Sequence, residues 1–507
     1  MDAPGNDWQS PLDPRDWGEW RRQGHAMLED MFDFLERMSG GEGPVWQPAP
    51  ASARTAIAEP LPQEGCSLEQ AYGLFRDSIL PYAVGNAHPG FMGWVHGAGT
   101  PVGMLAEMLA AGLNANLGGR DHMPVELERQ VVRWGRELFA FPDTASGVFV
   151  TGSSMANFLG VLVARSRALG PSVRTDGMQG QGGGALVAYA SRAAHACVAR
   201  AMDLAGLGSA ALNLIDVDGS GALDTDALAS AIGCDLRQGR RPFLLVGTAG
   251  SVDTGAIDDL AALADIAARH RLHFHVDGAF GALGMLAADL APRLGGIERA
   301  DSIALDFHKW MHVPYDAGFI LVRDGKHHLA AFDGGAHSYL AREPGGMSAG
   351  SPWPCDYGPD LSRGFRALKT WMTLKVYGAR RLGAAISDSC ERARHLGELV
   401  RRQAELELMA PVHLNIVCFR FRAPEGISDE LNSRLLQAIQ GSGIAAPSST
   451  RIDGKYVLRA ALFNHRTGRA QLAGLIDAAL VHGRALLDEL ARQETTGTDR
   501  NSTCRNY

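Results

Sequence analysis

Short apolar runs alternate with helical stretches through the middle of the chain, from about residue 100 to residue 330. The runs are GVFVTG, ALVAYAS, ALNLIDV, PFLLVGTAG, LHFHVDGAF, SIALDFH and AGFILVR. Strands that alternate with helices form a mostly parallel sheet covered on both faces, and such sheets bind ligands at the carboxyl ends of their strands. The residues that follow each run are therefore the first place to search for chemistry.

The amino-terminal region has a different pattern. Apolar residues at helical spacing, with charged residues between them, predict an amphipathic helix over residues 16–38. The proline-rich stretch 44–62 predicts an extended connector, and residues 67–80 predict another helix. These elements need a partner to cover their apolar faces, so residues 1–90 are predicted to be a helical arm.

The carboxyl-terminal region combines helices with strands. Two long helical stretches, 365–377 and 380–403, precede the strands HLNIVCFRF and YVLRAALF, a pattern that predicts a small α+β domain. The predicted organisation of the chain is an arm over 1–90, a large α/β domain over 91–376, the small domain over 377–490 and a polar, disordered tail over 491–507.

Composition and charge narrow the classes of function. The 507 residues carry a net charge of -8 and no long basic run, which argues against a nucleic-acid partner. The first residues lack a signal-peptide pattern, and no apolar run is long enough to span a bilayer. Seven scattered cysteines without CxxC spacing indicate reduced thiols. We expect a cytoplasmic protein of enzyme size with neither a membrane nor a nucleic acid as its partner.

The sequence DVDGSGALDTDA, which begins at Asp216, imitates a calcium-binding loop. Asp216, Asp218 and Ser220 occupy the first, third and fifth positions of such a loop. The glutamate that the loop needs at its twelfth position is replaced by Ala227. A turn that leads into a helix capped near Asp224 is therefore the preferred interpretation.

The run HFHVDGAF places His273, His275 and Asp277 on one face of a strand, because alternate side chains of a strand point the same way. Two histidines and a carboxylate are a set that binds metals, and the sequence leaves this alternative open. The small residues Gly278 and Ala279 follow the aspartate. They favour another use of the site, in which a flat ring lies against a small side chain and the carboxylate reaches its edge.

The segment VTGSSMANF predicts a strand followed by a helix that begins with serines. Free amide groups and the helix dipole at such a terminus favour an anion, for example a phosphate. Ser153, Ser154 and the amide of Met155 are the candidate groups. Serine is also a common helix cap, so this motif has little specificity by itself.

Lys309 lies between a histidine and a tryptophan in ALDFHKWMHVPYD. A lysine with apolar neighbours often extends its amine to solvent at the end of a strand. A desolvated lysine is instead a nucleophile that forms an imine with an aldehyde. A phosphate site, an aspartate for a pyridine nitrogen and a sheltered lysine follow one another on strand ends, and this combination favours the second interpretation.

Taken together, the motifs resemble those of the group II pyridoxal-phosphate-dependent amino acid decarboxylases, which include aromatic amino acid, glutamate and histidine decarboxylases. The resemblance covers about residues 89–466. It rests on HPGF at 88, PVELERQVVRW at 124, TGSSMAN at 151, the histidine of SRAAHACVARA, TAGSVDTGAID at 248, HVDGAFG at 275, DFHKW at 306 and LSRGFRALKTW at 361. It implies PLP fold-type I, the aspartate aminotransferase-like architecture, with a mixed, mostly parallel sheet of seven strands. It also implies a homodimer in which the amino-terminal arm wraps the partner.

The resemblance further implies roles for individual residues toward pyridoxal 5'-phosphate. Lys309 forms the imine with the cofactor, Asp277 pairs with the ring nitrogen, His195 stacks on the ring and Ala279 supports its other face. The phosphate is held by Ser153, Ser154, the amide of Met155 and His308. The implied reaction is the decarboxylation of an L-amino acid to the amine and CO2, without a metal.

Near the substrate the sequence departs from the aromatic amino acid decarboxylases. Arg459 matches a family arginine associated with the substrate carboxylate. A glycine-threonine-threonine turn of that subfamily reads Gly250-Ser251-Val252 here. A mainly polar set stands where that subfamily lines its pocket with aromatic residues: Asn86, Trp94, His96, Asn114, Asn116, Arg120 and His122. We therefore expect a substrate with a polar or an aromatic side chain.

A tyrosine on a mobile loop protonates Cα after CO2 leaves in most decarboxylases of this family. The segment HSYLAREPGGMSAGSPWPCDYGPD offers Tyr339 and Tyr357, and Tyr357 is favoured. If neither reaches the site, oxygen would intercept the reaction and give an aldehyde by oxidative deamination, although His195 argues against this. The remaining alternatives are carbon–carbon cleavage on the same fold and a non-catalytic homologue that scaffolds a partner.

Overall fold

Seven of the twelve strands form a central sheet. The computed structural model describes residues 12–179, 182–332 and 340–502, with side chains up to residue 493. The strands are β1 (Phe91–Met92), β2 (Ser146–Val150), β3 (Leu186–Ser191), β4 (Leu212–Ile215), β5 (Arg241–Thr248), β6 (His273–Asp277), β7 (Ser302–Asp306), β8 (Gly318–Val322), β9 (Leu406–Leu408), β10 (Ile416–Phe421), β11 (Ala446–Ile452) and β12 (Lys455–Ala461). The seven apolar runs correspond to β2 through β8, so the prediction of these strands is confirmed.

The order of strands in the central sheet is β2-β8-β7-β6-β5-β3-β4. β8 runs antiparallel to both of its neighbours, and the other neighbouring pairs are parallel. The prediction of a mixed, mostly parallel sheet is thus confirmed. Because the remaining strands point the same way, their carboxyl ends meet at one edge of the sheet, where β5, β6 and β7 end at Thr248, Asp277 and Asp306.

Helices cover both faces of this sheet. The helices of the described residues, including those that lie away from this sheet, are α1 (Trp17–Gly40), α2 (Ala51–Ala56), α3 (Leu68–Ser78), α4 (Pro101–Leu113), α5 (Met123–Leu138), α6 (Ser153–Leu169), α7 (Val173–Asp176), α8 (Cys197–Leu204), α9 (Thr225–Arg237), α10 (Leu260–His270), α11 (Phe307–Trp310), α12 (Gly325–Phe332), α13 (Arg366–Arg401), α14 (Glu425–Gly441) and α15 (Arg469–Ser502). α6, α8 and α12 pack on one face, and α5, α9 and α10 pack on the other. Alternate side chains of a strand point to opposite faces of the sheet, so each strand packs against both helix layers. In β7, for example, Leu305 faces one layer and Ala304 faces the other. No described helix combines the length and apolar composition needed to span a membrane.

The described part of the amino-terminal arm, from residue 12 onward, has three helices instead of the predicted two. α1 begins after Asp16, whose carboxylate accepts the N–H of Glu19, and α3 begins with a capping box formed by Ser67 and Gln70. The additional helix α2 lies in the stretch 44–62, which was predicted to be extended. Its sequence, ASARTA, is rich in alanine, the strongest helix former, which explains the correction. Every residue of α1 is at least partly exposed in this single chain.

The small domain is built on a second sheet, with the strand order β1-β11-β12-β10-β9. β10 and β12 are the two strands that were predicted for it. β1 pairs in parallel with β11, so that Phe91 lies opposite Ala446, and the N–H of Ala446 donates to the carbonyl of Gly90 at 3.0 Å. The predicted boundary at residue 91 is therefore corrected: β1 belongs to the sheet of the small domain, because it satisfies the free edge of β11.

Two long helices frame the small domain. The helical geometry of α13 is interrupted at Gly378, which has φ +73°, and this break separates the stretches predicted as 365–377 and 380–403. α15 continues to Ser502. The helix therefore extends into the segment 491–507, for which disorder was predicted. Once a helix is packed, each further residue adds a hydrogen bond at little cost, which favours this continuation.

Candidate active site

A cavity of about 440 Å³ lies at the carboxyl edge of the central sheet. Its walls come from the ends of β5, β6 and β7, the start of α6, and the small-domain strands β11 and β12. Ten of the predicted site residues line it: Lys309, Asp277, His195, Ser153, Ser154, Ala279, His308, Trp94, His96 and Arg459. The fold thus brings together residues that were predicted from separate motifs.

Lys309 lies in α11, a single helical turn that begins directly after β7. Its Nζ is 2.7 Å from Oδ2 of Asp306 and 3.5 Å from Oγ of Ser153. The side chain is 16 % exposed, so the amine is sheltered while it reaches the cavity. Gly97 packs against this turn, because a Cβ at that position would lie 2.3 Å from the carbonyl oxygen of His308. Close backbone packing therefore fixes the direction of the lysine.

Asp306 is a site residue that the motif analysis did not single out. Its side chain is buried, and its Oδ1 accepts the N–H of Ser153 at 2.6 Å. It precedes Lys309 by three residues, so one turn of helix brings the two side chains together. This spacing within DFHKW is the signal that could have identified it.

Asp277 ends β6 and is 3 % exposed. The N–H of Ala279 donates to its Oδ1 at 3.2 Å. Burial raises the pKa of this carboxyl above its usual value, while the nearby Lys309 and His195 act in the opposite direction. A cation beside this carboxylate would replace the hydration that burial removes, and a protonated ring nitrogen is such a cation.

His195 and Ala279 lie on the walls of the same cavity. The N–H of Cys197, at the start of α8, donates to Nδ1 of His195 at 3.2 Å. In the neutral imidazole this bond places the ring proton on Nε2 and holds the ring in position. The ring is exposed, so its face is accessible to a flat ligand.

The amino terminus of α6 forms the end of the cavity at which an anion was predicted. Gly318 of β8 packs against the capping residue Gly152, and a Cβ on Gly318 would lie 2.3 Å from its Cα. Ser153 and Ser154 follow and line the cavity. Met155, the third predicted group, donates its N–H to the carbonyl of Gly152 at 2.9 Å, and its side chain packs in the apolar layer under α6. An amide engaged in this way is not free to hold an anion.

His308 lies beside the same end of the cavity. The N–H of Ala317 donates to its Nδ1 at 2.9 Å, so the neutral ring carries its proton on Nε2. Nε2 is 3.7 Å from Oδ2 of Asp306. Burial lowers the pKa of His308 to about 4, which keeps the ring neutral at physiological pH. The histidine therefore offers one N–H donor to an anion at this end.

Arg459 enters the cavity from β12, on the opposite side from Lys309. Its Nε donates to the carbonyl of Val252 at 2.8 Å, and its Nη1 donates to the carbonyl of Trp94 at 3.1 Å and to Oγ of Ser448 at 3.2 Å. Its Nη2 is buried and has no acceptor among the described residues. Buried donors are almost always paired, so this group fits a carboxylate of a ligand.

Aromatic rings form the wall of the cavity between His308 and Arg459. Trp94 and His96 have ring centroids 5.6 Å apart, and His96 meets the edge of Tyr315 at 5.6 Å. Tyr315 also packs on His308, with centroids 4.4 Å apart. Tyr315 was not predicted from the sequence. The position of this tyrosine in VPYDAG, between α11 and β8, was a usable signal. The wall thus combines apolar ring faces with polar ring edges.

Comparison with known proteins decides the family. Residues 50–422, more than half of the chain, match the family described as the pyridoxal-dependent decarboxylase conserved domain. The chain belongs to the pyridoxal-dependent decarboxylases. The resemblance that was based on the motifs is thereby confirmed.

Relatives of this decarboxylase differ in their substrates. The aromatic-L-amino-acid decarboxylase of Bacillus atrophaeus is 30% identical over 458 residues, which are 89% of this chain and 92% of that protein. The L-2,4-diaminobutyrate decarboxylase of Rhizobium meliloti is 30% identical over 438 residues, 86% of each protein. The solved structure of Oryza sativa TDC with PLP and tryptamine is 23% identical, has a TM-score of 0.85 and covers 94% of this chain and 100% of its own, which shows a shared fold.

Pyridoxal phosphate is the cofactor of this decarboxylase, and the cavity fits it. A sheltered lysine suits its aldehyde, a buried carboxylate suits its ring nitrogen, and the serines at the start of α6 suit its phosphate. The enzyme is a carboxy-lyase that converts an L-amino acid into the corresponding amine and CO2.

Asn114 and Asn116, which were predicted to bind substrate, lie outside the cavity of their own chain. Asn114 ends α4 in the left-handed conformation, with φ +46°. Asn116 accepts the N–H groups of Gly118 and Arg363, each at 2.9 Å. The carboxamide of Asn116 joins the turn after α4 to the segment before α13, and the role of both asparagines toward the substrate stays a prediction.

The other polar residues expected near the substrate support the surrounding backbone. Asn86 donates from Nδ2 to the carbonyl of Gly97 at 2.9 Å. The guanidinium of Arg120 lies over the ring of Trp353, 4.6 Å from its centroid. His122 is the residue from which α5 begins. Of the set expected near the substrate, Trp94 and His96 line the cavity, and the role of the others toward the substrate stays a prediction.

The favoured loop tyrosine, Tyr357, packs away from Lys309. It ends the loop that contains Trp353, and its ring contacts His328 of α12 with centroids 4.9 Å apart. It also packs against the apolar layer between α6 and the sheet. The role of Tyr357 as the proton donor stays a prediction, and Tyr339 lies outside the described residues. We call residues 340–365 the loop segment.

The two histidines of β6 are held by hydrogen bonds. Nε2 of His273 lies 2.8 Å from Oγ of Ser302, and Nδ1 of His275 lies 2.7 Å from the same oxygen. Nε2 of His275 lies 2.7 Å from Oδ1 of Asn157 in α6. Three of the four ring nitrogens thus have protein partners, and no cluster of metal ligands occurs among the described residues. The histidines connect β6 to α6 beneath the cavity.

The segment that imitates a calcium loop folds as the preferred interpretation predicted. Asp224 caps α9, because its carboxylate accepts the N–H groups of Asp226 and Ala227. Asp218 accepts the N–H and the hydroxyl of Ser220. These bonds make a turn that leads into a helix.

Proposed function

We propose that Lys309 holds pyridoxal phosphate covalently, that Asp277 pairs with its ring nitrogen and that Arg459 binds the carboxylate of the substrate. One observation carries this proposal: a single cavity contains a sheltered amine, a buried carboxylate and a guanidinium N–H that lacks an acceptor among the described residues. When bound, the cofactor supplies an electron sink for the bond that breaks at Cα. Asp277 supports this by favouring the charged form of the ring nitrogen.

The remaining residues of the cavity orient the two ligands. Ser153 and Ser154, at the start of α6, and the Nε2–H of His308 are placed to donate hydrogen bonds to the phosphate. His195 presents its ring face to the cofactor ring. Arg459 belongs to the small domain and Lys309 to the large domain, so the substrate would be held between them. Holding the carboxylate selects which bond at Cα breaks, because the reacting groups are kept in one orientation.

The substrate that we propose has an aromatic or a polar side chain. The rings of Trp94, His96 and Tyr315 provide flat surface for an aromatic group. Ser449 and Asp253 line the same cavity and provide hydrogen-bond acceptors for a polar one. The 30% identical relatives include one that acts on aromatic amino acids and one that acts on diaminobutyrate. Both classes therefore belong in the substrate test.

We also propose that the enzyme is a homodimer. Large apolar side chains are exposed on α1, including Trp17 at 58 % and Trp20, and on α4, including Met108 and Leu113 at 63 %. Large apolar side chains that are exposed in a single chain are commonly covered at an interface between subunits. Light scattering of the purified protein tests the proposal, and a monomer at micromolar concentration that is fully active would contradict it.

For the compartment we propose the cytoplasm. The six described cysteines are free, as expected of thiols in a reducing compartment. Cell fractionation tests this proposal, and recovery of the protein in an extracellular or membrane fraction would contradict it.

The decisive experiment is a product assay on a panel of amino acids. Aromatic substrates, L-2,4-diaminobutyrate and L-glutamate are supplied in turn, and CO2, amine, aldehyde and hydrogen peroxide are measured together. We expect CO2 and amine in equal amounts. Aldehyde with hydrogen peroxide would show oxidative deamination, and a protein that binds the cofactor without turnover would support a scaffold.

The matched variants are Lys309→Ala and Lys375→Ala, since Lys375 is an exposed lysine on α13. Lys309→Ala should lose both the visible absorbance of the bound cofactor and the release of CO2. Lys375→Ala should keep both. An active Lys309→Ala protein with wild-type absorbance would refute the role of this lysine.

A further inference from the structure

Asp306 stands at the junction of the three elements that form the cofactor end of the cavity. It is the last residue of β7. Its carboxylate accepts a hydrogen bond from the N–H of Ser153, the first residue of α6, and forms an ion pair with Lys309 of α11. Only 1 % of its surface is exposed. A buried carboxylate needs charge partners or several donors, so its surroundings identify the group that it serves.

Lys309 is the cation that satisfies this carboxylate. The amine is 2.7 Å from Oδ2 of Asp306, whereas Nε2 of His308 is 3.7 Å from the same oxygen. His308 is a poor source of positive charge, because its Nδ1 accepts the N–H of Ala317 and burial favours its neutral form. Oδ1 is occupied by the N–H of Ser153. The carboxylate therefore holds the lysine amine against the start of α6.

We infer that Asp306 is a positioning residue that restrains the Lys309 amine beside Ser153 and thereby sets the rate, and the pH dependence, with which this amine takes up the cofactor. The inference rests on the proposed role of Lys309. This role of Asp306 is separate from the roles that we propose for Asp277 and His195 toward the cofactor ring.

The chemistry of attachment explains the direction of the effect. Only the uncharged amine has the electron pair that adds to the aldehyde carbon. Lys309 must first release one proton to solvent; the carbon–nitrogen double bond then forms, the carbon–oxygen double bond breaks, and the oxygen leaves as water with the two remaining amine protons. A carboxylate at 2.7 Å stabilises the ammonium and opposes the first step.

Other titratable groups face this pair from the neighbouring elements. They interact with Lys309 or Asp306 through space and belong to β6, α8, α11 and the loops that follow α11 and β1: Asp277, Cys197, His308, Tyr315 and His96. Each of them is present in both the wild type and the variants below. A difference between these proteins therefore reports on Asp306 itself.

The test compares cofactor attachment in the wild type and in Asp306→Asn. Asparagine keeps the shape of the side chain and the acceptor for Ser153 while it removes the charge. The cofactor is stripped from the full-length protein, pyridoxal phosphate is added back at a series of pH values, and the visible absorbance of the attached cofactor is followed. We expect attachment to Asp306→Asn to be about tenfold faster at neutral pH and the midpoint of its pH dependence to be lower than in the wild type.

Four checks separate this effect from others. Asp316→Asn removes a nearby carboxylate that pairs with Arg366 at 2.6 Å, and it should keep the wild-type rate and midpoint. Pyridoxal, which lacks the phosphate, should show the same acceleration in Asp306→Asn as pyridoxal phosphate does, because the carboxylate acts on the amine. Asp306→Glu should return the midpoint toward the wild type, and thermal unfolding verifies that each variant is folded.

The outcomes distinguish this inference from the proposed function. Wild-type kinetics in Asp306→Asn, or an acceleration confined to pyridoxal phosphate, would overturn the inference, since the second result would mean that the carboxylate repels the phosphate. An equal effect of Asp316→Asn would overturn it as well. Attachment that persists in Lys309→Ala would refute the proposed role of the lysine instead.

Discussion

The cofactor end of the cavity and the loop segment are both connected to the central sheet, but in different ways. At the cofactor end, Asp277 and Asp306 end neighbouring parallel strands, and Lys309 follows within one helical turn. The loop segment is attached by contacts between residues that are far apart in the sequence, such as the ion pair between Arg363 and Glu128. Strand order alone therefore positions the first region, whereas the second depends on individual long-range contacts.

The attachment of the loop segment is extensive. The Trp353 ring lies between the guanidinium groups of Arg120 and Arg342, which are 4.6 and 3.5 Å from its centroid. The N–H of Cys355 donates to the carbonyl of Gly118 at 3.0 Å. The turn after α4 and the loop segment thus form one packed unit, and the predicted residues Asn114, Asn116 and Tyr357 belong to it.

The largest effect should come from breaking the buried ion pair at the base of the loop segment. Nη2 of Arg363 is 2.6 Å from Oε1 of Glu128, and both side chains are buried. Glu128→Gln leaves the guanidinium charge without its partner, which should lower the free energy of unfolding by about 3–5 kcal/mol. Urea unfolding measures this loss.

The neighbouring half-exposed pair between Arg129 and Glu126 is the matched control. Glu126→Gln removes the same charge from the same helix, α5, and should cost less than about 1 kcal/mol. Equal losses in the two variants would mean that the buried pair does not anchor the loop segment. The contrast between the two regions would then lose its main support.

Sequence reasoning succeeded for the cofactor end because each group lies at the end of an apolar run, and chain order predicts which strand ends meet. It identified ten of the residues that line the cavity. Asp306 was not predicted, although its i, i+3 spacing to Lys309 within DFHKW was a usable signal. The contact of Tyr357 with His328 was not predicted, because it depends on how the loop segment folds back onto α12, which no local pattern encodes.

A second prediction concerns the stability of the protein at low pH, which depends on the two histidines beneath the cofactor end. Burial lowers the pKa of His273 to about 4 and that of His275 to about 3, whereas both titrate near 6.5 in the unfolded chain. Between pH 6.5 and the folded values, the unfolded chain binds protons that the native protein does not, so the free energy of unfolding falls as the pH falls. Between pH 6.5 and 5 we expect a loss of about 2 kcal/mol for each histidine.

Unfolding in urea at the two pH values measures this slope. His273→Gln should remove about half of the pH dependence that the two histidines contribute, whatever its effect on stability at pH 6.5. His25→Gln, on the exposed helix α1, is the control and should keep the wild-type slope. A wild-type slope in His273→Gln would show that other groups dominate the acid response.

The smallest effects are expected on kcat/KM, when the hydroxyl of Tyr315 or of Tyr357 is removed. Tyr315 faces the cavity beside His308, and Tyr357 packs on His328 in the loop segment. Removal of the hydroxyl in Tyr315→Phe deletes a polar group of the cavity wall, so we expect kcat/KM to fall about fivefold, which corresponds to about 1 kcal/mol. Tyr357→Phe should change kcat/KM by less than about twofold, because its ring packing is kept.

A large loss of kcat in Tyr357→Phe with little effect in Tyr315→Phe would mean that the loop segment leaves its packed position and enters the cavity during turnover. The division between a cofactor end set by strand order and a separately anchored loop segment would then hold for the resting enzyme alone.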